Sequence, residues 1–374
     1  MHVLVIPSWY QTRFNMLSGV FFKDQALAIS GQVKRVGIIA PVLISIKDVL
    51  KTKIFSFREE HIETDNIKEY IQPILAFPFF KTFNTALQFR IGKKMLKRYI
   101  HEFGVPDVIH LQTSLAGELA LWMNKQYKVP FIVTEHWSGF LQNKASHAEL
   151  KLARRVFSRS KHNIAVSEYF AQQLRNIFQE KFQVVPNSVE LDFFAIGTDK
   201  FSQFTFLQVG RLDKNKNQEM LIKAFSHFDP AYNMRLKIVG EVKGHIKNEL
   251  TKLIKSLGLI EKVEFCGPLN REEVRGVMQK SHCLVVSSQV ETFCIVAIEA
   301  MSCGIPVVST KCGGPEGIIS SQTGILCKVN NEQSLFESMK EMSQKTWSPE
   351  TIRSYVESNY SSASYANKML NLMR

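Results

Sequence analysis

The sequence predicts an α/β protein with two parallel β-sheets, each covered by helices on both faces. Short apolar runs rich in β-branched residues alternate with longer helical patterns along the chain, which is typical of parallel sheets. The length of 374 residues exceeds one typical domain and fits two of roughly 180 residues each. These two observations predict the fold class.

The predicted strands follow one another at regular intervals, and turn residues near 185–188 mark the boundary between two groups of them. We therefore expect a first domain over residues 1–186, a second over 187–350, and a C-terminal helix over 351–374. The strands are expected at 3–6, 36–40, 108–111, 131–134, 164–166, 204–209, 236–239, 263–266, 284–286 and 307–309.

The composition excludes several classes of protein. With 45% hydrophobic and 22% charged residues, the chain is neither disordered nor a membrane-spanning protein, and no apolar run approaches the ~20 residues that span a bilayer. The N-terminus lacks a basic leader and a cleavage site, so we expect it to form a first strand and not a signal peptide. Six cysteines without a C-x-x-C pair favour free thiols over zinc ligands.

The net charge of +13 is concentrated in the first half, where residues 1–190 carry +10. Nucleic-acid binding is disfavoured, because no binding motif or aromatic stacking platform accompanies this charge. Residues 77–103 interleave aromatic and aliphatic side chains with basic ones. This stretch predicts an amphipathic helix that either lies on an anionic membrane or exposes an ordinary solvated face; the sequence leaves both open.

The most informative stretch, residues 287–306, places Glu291 and Glu299 eight positions apart. It reads as a loop that runs into a helix ending before Gly304, with a buried strand predicted on either side of it. Glu291 then lies at the carboxyl end of a parallel strand, where α/β sheets bind ligands, and Glu299 lies about two turns along the helix. Together the two carboxylates suit an extended polar ligand, with free backbone N–H groups near Phe293 and Cys294 facing an anion.

This E-x7-E pattern, followed by E-A-M-x-C-G-I-P-V-V, resembles the signature of family four of the retaining glycosyltransferases, also called glycosyl transferases group 1. The resemblance implies the GT-B fold, with two Rossmann-like domains that face a central cleft, and a C-terminal helix that returns to the first domain. It further implies that Glu291 binds the donor sugar, Glu299 binds the ribose of a sugar nucleotide, and the backbone of Thr292, Phe293 and Cys294 holds the donor near its diphosphate. Cys294 stands where the family usually has glycine.

A second motif, V-G-R-L-D-K-N-K at 209–216, places Arg211 and Lys216 in a loop between a strand and a helix. Such a loop presents cations to phosphate. It is similar to the family's G-R-L-x-x-x-K segment, which implies that both side chains neutralise the departing diphosphate. An Asp-x-Asp pair for metal-assisted catalysis is missing from the sequence, so we expect a metal-independent reaction without a cofactor, with a UDP- or GDP-linked sugar as co-substrate.

In the first half, T-E-H-W-S-G at 134–139 ends a predicted strand and resembles the family's histidine loop. The resemblance implies that His136 orients the donor or stabilises the transition state. Gly19 is the best match to the glycine that the family places against the donor phosphate. Gly240 ends a strand near the position where the family binds the nucleotide base of the donor. A turn is expected at Gly313 and Gly314. The sequence fits equally well a turn with a purely structural role and one whose N–H groups contact the donor.

Taken together, the residues and the resemblance indicate a retaining glycosyltransferase. The expected acceptor is a lipid-linked or polysaccharide intermediate of cell-surface glycan synthesis, and the expected place is the cytoplasm, at the inner face of the cell membrane if the basic stretch binds lipid. His136, Glu291, Arg211 and Lys216 are the catalytic candidates. The alternative is a sugar-nucleotide epimerase or hydrolase, since one fold hosts several activities.

Overall fold

The computed structural model describes residues 1–64, 66–241 and 244–374. The chain forms two compact units: Met1–Asn187 together with Tyr365–Arg374, and Ser188–Ser364. The C-terminal stretch expected as one helix over 351–374 is two helices, Pro349–Tyr360 and Ser362–Met373. The break follows from Ser361, whose backbone is extended and whose hydroxyl accepts the N–H of Ser364.

The first unit contains an eight-stranded sheet with the order β3-β4-β2-β1-β5-β6-β7-β8. All pairings are parallel except that of β3 with β4, which is antiparallel. The carboxyl ends of the parallel strands therefore meet at one edge. The strands are β1 His2–Pro7, β2 Arg35–Ile44, β3 Glu60–Thr64, β4 Ile67–Leu75, β5 Val108–Gln112, β6 Phe131–Glu135, β7 His162–Ala165 and β8 Gln183–Val184.

Helices cover this sheet, and several of them begin with a side-chain cap. Ser146 and Glu149 form a capping box at the start of one helix, and Ser167 caps the next. The core also takes in the end of the chain, where Tyr365 and Met369 are buried among residues of the first strands. The helices of this unit are α1 Val20–Ser30, α2 Ile46–Thr52, α3 Lys81–Phe103, α4 Gly117–Tyr127, α5 His147–Phe157 and α6 Glu168–Phe178.

The second unit contains a six-stranded, fully parallel sheet with the order β11-β10-β9-β12-β13-β14. The central strand β9 neighbours β10 and β12, so the order of the strands reverses there and loops diverge at their carboxyl ends. That divergence creates a crevice suited to ligands. The strands are β9 Phe204–Val209, β10 Met234–Val239, β11 Val263–Gly267, β12 Cys283–Val286, β13 Val307–Thr310 and β14 Gly324–Cys327.

The helix that follows Glu291 ends where the sequence predicts. Gly304 follows the helix after Glu291 in a left-handed conformation with φ 74°, which glycine adopts without strain. None of the described helices combines the length and apolar character needed to cross a membrane. The helices of the second unit are α7 Gln218–Ser226, α8 Gly244–Ser256, α9 Arg271–Lys280, α10 Ile295–Ser302, α11 Glu332–Gln344 and α12 Pro349–Tyr360, while α13 Ser362–Met373 belongs to the first unit from Tyr365 onward.

Candidate functional site

Lys216 and Glu291, two of the predicted catalytic residues, form an ion pair in the second unit. The ammonium nitrogen of Lys216 lies 2.5 Å from Oε1 of Glu291. The hydroxyl of Ser288 donates to the same carboxylate oxygen at 2.6 Å. The loop after β9 and the loop after β12 thus meet through their charged side chains at the carboxyl edge of the sheet.

The environment of Lys216 keeps its side chain charged. Burial by itself lowers the pKa of this ammonium, but the Glu291 carboxylate beside it more than offsets that effect, and the net result is a raised pKa. Lys216 is therefore a fixed cation at neutral pH. It is held where a ligand entering the crevice would meet it.

The loop that carries Lys216 is rigidly tied to the loop that carries Glu291. Asp213 Oδ1 accepts the backbone N–H groups of Asn215 and Lys216 at 3.0 and 3.1 Å. Asn215 in turn donates its side-chain amide to the carbonyl of Val290 at 3.0 Å. Since the ties on both sides involve backbone groups, the positions of the two charges are set by the fold.

Arg211 differs from Lys216 in its surroundings. Its side chain is exposed, and within the described part of the chain its guanidinium has neither an ion pair nor a hydrogen bond. The structure thus holds one of the two predicted cations in place and leaves the other at the surface of the same loop.

The backbone of Glu291 is fixed by the turn at Gly313 and Gly314. Glu291 donates its N–H to Cys312 at 2.8 Å, and its carbonyl accepts from Gly314 at 2.9 Å. A Cβ on Gly314 would come within 2.4 Å of the Phe293 backbone. The turn therefore needs glycine at 314 to pack against the residues after Glu291, which gives Gly314 a positioning role.

The predicted anion-facing segment begins helix α10. Cys294 occupies its N-cap with φ 91°, a left-handed conformation that favours glycine, and no side chain caps the helix. The side chain of Cys294 is buried, and burial raises its pKa well above the usual range. The cysteine thus adopts the backbone that the resemblance expects of glycine, as an inert, protonated thiol.

Glu299 and Thr292 flank this helix start. Glu299 lies on the second turn of α10 and is half-buried, and Thr292 is half-buried in the loop. Phe293, between Glu291 and the helix, is buried against Tyr360 with ring centroids 5.9 Å apart. Its side chain anchors the segment, so its contribution to any ligand is through the backbone.

Gly240 lies where the loops after β9 and β10 touch. With φ 148°, a Cβ there would lie 1.9 Å from the carbonyl oxygen of Gly210. Leu212 also donates to the carbonyl of Glu241 at 2.9 Å. Glycine is therefore required at 240 for the two loops to pack, whatever contact it makes with a ligand.

In the first unit, His136 follows β6 directly and is buried. Its Nε2–H donates to Oε1 of Gln112 at 2.9 Å. Its ring packs against those of Phe21 and Phe22 of α1, with ring centroids 5.1 and 5.3 Å away. Burial, and then the neighbouring His110, lower the pKa of His136 to about 3. The imidazole is therefore neutral at physiological pH.

The loop of His136 is organised by a fully buried carboxylate. Glu135 accepts the N–H groups of His136 and Trp137 at 3.0 and 2.9 Å through one oxygen. Its other oxygen accepts the N–H and hydroxyl of Ser114 at 2.9 and 2.7 Å. Burial raises the pKa of Glu135, and these four donors oppose the rise.

Behind His136, buried side-chain amides form a hydrogen-bonded series that no pattern in the sequence indicates. Gln112 donates its side-chain N–H to Gln25 Oε1 at 2.8 Å, and Gln25 donates to Asn187 Oδ1 at 2.8 Å. Asn187 is the last residue of the segment Met1–Asn187. The series of hydrogen-bonded amides therefore extends from the histidine loop to the domain boundary. These partners are 87 and 162 positions apart in sequence and form no local motif.

Gly19 ends the long loop after β1 and is the N-cap of α1, with φ 68°. A Cβ at this position would come within 2.8 Å of the Trp9 carbonyl oxygen. Both the backbone conformation and the close approach require glycine. The loop of Gly19 and the loop of His136 leave the sheet at the same edge, because β1 and β6 run parallel to β5 between them.

All six cysteines are free, and five of them are buried. Among the residues that the structure describes, no three or more His, Cys, Asp and Glu side chains cluster closely enough to hold a metal ion. Among the predicted site residues, polar groups gather at the Lys216–Glu291 pair and at the hydrogen-bonded amides behind His136. Each belongs to the carboxyl edge of its own sheet.

Two family models match the chain and meet at residue 193. Residues 193–359 match the model described as glycosyl transferases group 1, and residues 52–193 match the model described as glycosyltransferase family 4. The chain therefore belongs to the group 1 glycosyltransferases, and its two parallel-sheet α/β units are those of the GT-B fold. The predictions of the GT-B fold and of membership in the glycosyl transferases group 1 are confirmed.

Three similar proteins illustrate this relationship. A D-inositol 3-phosphate glycosyltransferase of Mycolicibacterium smegmatis is 28% identical over 250 residues, which cover 60% of this chain and 57% of that protein. The chain thus aligns with little more than half the length of this relative. An N-acetylgalactosaminyltransferase of Campylobacter jejuni, named for a diphospho-undecaprenol-linked acceptor, is 34% identical over 44% of this chain and 46% of its own length. Sucrose-phosphate synthase from Thermosynechococcus elongatus superimposes with a TM-score of 0.82 over 100% of this chain and 98% of its own, at 19% identity.

Proposed function

We propose that this protein is a retaining, metal-independent glycosyltransferase that moves a sugar from a UDP- or GDP-linked donor to an acceptor. Family membership supports the reaction class, and the Lys216–Glu291 pair beside the uncapped start of α10 is the observation that carries the mechanism. The nucleotide sugar is a co-substrate, so no further cofactor is required.

In this proposal the negative charge that grows on the departing diphosphate is stabilised by Lys216 and Arg211. Lys216 is charged, partly buried and fixed before the donor arrives, so it needs little reorganisation as the bond breaks. The exposed Arg211 closes on the phosphates from the same loop. The backbone N–H groups at the start of α10 add the partial positive charge of a helix N-terminus.

Glu291 has two successive tasks. Without donor it neutralises Lys216; once the diphosphate takes over the ammonium, its carboxylate accepts hydrogen bonds from hydroxyls of the donor sugar. Ser288, which donates to Oε1, keeps the carboxylate oriented during this exchange. Glu299, further along α10, binds the ribose hydroxyls, and the backbone of 292–294 lies along the donor between the two carboxylates.

His136 acts as a neutral imidazole. Its Nε2–H is committed to Gln112, which fixes the orientation of the ring at the carboxyl edge of the first sheet. There it orients the donor sugar and stabilises the transition state as an uncharged ring. Gly19 gives the loop after β1 the close backbone approach that a donor phosphate needs.

The proposed acceptor is a lipid-linked or polysaccharide intermediate of cell-surface glycan synthesis. The diphospho-undecaprenol acceptor in the name of the Campylobacter relative supports this class, and so does the +10 charge of residues 1–190, which suits work beside an anionic membrane. The proposed location is the cytoplasm, at the inner face of the cell membrane.

A screen of sugar nucleotides by thermal shift identifies the donor, and proton NMR of the product formed with an acceptor tests the mechanism. We expect an unchanged anomeric configuration and a glycoside that forms only when acceptor is present. Glu291→Gln keeps the size of the side chain and should impair transfer more than nucleotide binding. An inverted anomeric centre would contradict retention, and an epimerised or hydrolysed donor in the absence of acceptor would establish the alternative activity.

A further inference from the structure

The surface of the first unit carries an aromatic patch formed by Phe77, Phe79, Phe80 and Phe83. Their exposed fractions are 44%, 102%, 64% and 54%. Monomeric proteins seldom expose several large apolar side chains side by side, and such patches mark binding surfaces. The site already described uses none of these residues.

The turn that carries the aromatic patch is built to hold these rings outward. The buried side chain of Asn84 accepts the N–H of Phe77 and donates to its carbonyl, both at 2.9 Å. Phe79 has φ 68°, a left-handed backbone that an aromatic residue seldom adopts. A collapsed loop would turn these rings inward, whereas this one presents Phe79 wholly to solvent.

A second apolar segment begins at the same edge of the sheet. Strands β2 and β4 end in register, with Ile44 opposite Leu75, and Ala76 donates to the Ile44 carbonyl at 2.8 Å. Helix α2 follows β2 at once and exposes Ile46 at 44% and Leu50 at 64%. The aromatic patch is therefore not an isolated turn but part of a wider apolar rim.

The positive charge around the rim indicates that its partner is anionic. Residues 76–101 contain six Lys and Arg residues and no Asp or Glu. Lys81 lies within the aromatic patch, and Lys47 and Lys51 lie on α2; all three are exposed. Exposed aromatic rings among lysines fit the boundary between the headgroups and acyl chains of an anionic bilayer, where rings enter and lysines remain at the phosphates.

We propose that the aromatic patch inserts into an anionic lipid bilayer and docks the first unit there. Strands β1, β2, β4, β5 and β6 are parallel, so the loops of Gly19 and His136 leave the same edge as the rim. Docking at this edge presents those loops to an acceptor anchored in the membrane. The docking is inferred only from the exposed residues and the charge of this surface. Its use for a lipid-linked acceptor rests on the proposed function.

Vesicle flotation tests the docking without any need for transfer. The wild-type chain should float with vesicles of phosphatidylglycerol and phosphatidylethanolamine, and Phe79→Ser with Phe80→Ser should lower the partition coefficient by about tenfold or more for each ring removed from the acyl region. Tyr232→Ser with Ile260→Ser, which removes two exposed apolar side chains from the second unit, is the matched control and should bind as the wild type does.

Depth is measured independently with Phe79→Trp and lipids brominated on the acyl chain. The added tryptophan should be quenched, whereas a tryptophan added as Tyr232→Trp should not. Equal flotation of the phenylalanine variant and the wild type, together with an unquenched Trp at 79, would overturn the proposal. So would a self-associating protein that the phenylalanine variant converts to monomer in the absence of lipid, because the partner would then be a second copy of the chain.

Discussion

Lys216 and Glu291, 75 positions apart in the sequence, are joined by a 2.5 Å ion pair between two loops of one sheet edge. The pair gives each side chain a partner in the absence of substrate, which limits the cost of holding charges in a partly closed crevice. It also places the cation that would meet a diphosphate next to the carboxylate that would meet a sugar. The predictions on the donor side depend on this arrangement.

Removing either cation of the loop after β9 should slow transfer while leaving the fold intact. Lys216→Ala or Arg211→Ala should lower kcat by about a hundredfold to a thousandfold, because a preorganised charge opposite the leaving group is lost. Steady-state kinetics with the preferred donor, in the presence of a chelator, measures the effect. Wild-type activity should survive the chelator.

Lys214 provides the matched control for these variants. It lies in the same loop and is exposed, so Lys214→Ala removes an equal charge without touching the pair. We expect near wild-type turnover. A similar loss of turnover in all three variants would mean that the effect comes only from the net charge of the loop. Activity that requires a divalent ion would exclude the metal-free mechanism.

Glu299→Ala should weaken nucleoside diphosphate binding by about 1.5–3 kcal/mol for each charged hydrogen bond lost to the ribose. Titration calorimetry with the nucleotide product measures this directly. Glu337→Ala, on the exposed face of α11, removes a glutamate of the same unit and should not alter affinity. Unchanged affinity in Glu299→Ala would remove this residue from the ribose site.

Neutralising the basic face of α3 should weaken binding to anionic vesicles and reduce its salt dependence. In the combined variant Lys93→Gln, Lys94→Gln, Lys97→Gln and Arg98→Gln, most of the effect should come from Lys94 and Lys97, which are exposed. Arg98 already pairs with Glu59, and the ammonium of Lys93 lies over the Trp122 ring at 5.2 Å.

Co-sedimentation at increasing salt gives the measurement, since exposed charges are screened. Lys252→Gln with Lys255→Gln on α8 is the control of equal charge for the Lys94 and Lys97 pair. If both pairs have the same effect, or neither has any, α3 presents no more than a solvated helical face.

The fold was largely predictable because most of its strands are continuous apolar runs. All ten predicted strands are present, and the predicted end of α10 at Gly304 is where the left-handed residue lies. Strand β4 was missed since its middle contains Lys68, Glu69 and Gln72, which do not read as a buried strand. Glu69 is nevertheless wholly buried, and it pairs with the Tyr10 hydroxyl and the Lys23 ammonium, both at 2.7 Å.

The candidate site was predictable in its residue types but not in its internal contacts. The spacing of Glu291 and Glu299 and the basic loop at Lys216 are local patterns, so they are legible in one sequence. The ion pair that joins two of them requires the register of β9 beside β12, which no local pattern specifies. The Gln112–Gln25–Asn187 chain is less accessible still, because single amides in separate elements carry no signature until the fold brings them together.

Acidification should destabilise the first unit through two of its buried histidines, His110 and His136. Burial lowers the pKa of His110 and of His136 to about 3 each, whereas histidine in an unfolded chain has a pKa of about 6.5. Between these values the unfolded state binds protons that the native state does not. The free energy of unfolding therefore falls as the pH drops below about 6.5, by up to about 1.4 kcal/mol per pH unit for each histidine.

Urea unfolding at pH 7.5, 6.5 and 5.5 measures this loss, and His136→Gln should remove about half of the contribution of the two histidines while leaving that of His110. His245→Gln is the control, because this histidine on α8 is exposed and lies outside the first unit. An identical fall in stability for wild type and His136→Gln would mean that His136 titrates alike in both states. Its neutral form would then have to be attributed to pH alone and not to its burial beside Gln112 and the two phenylalanines of α1.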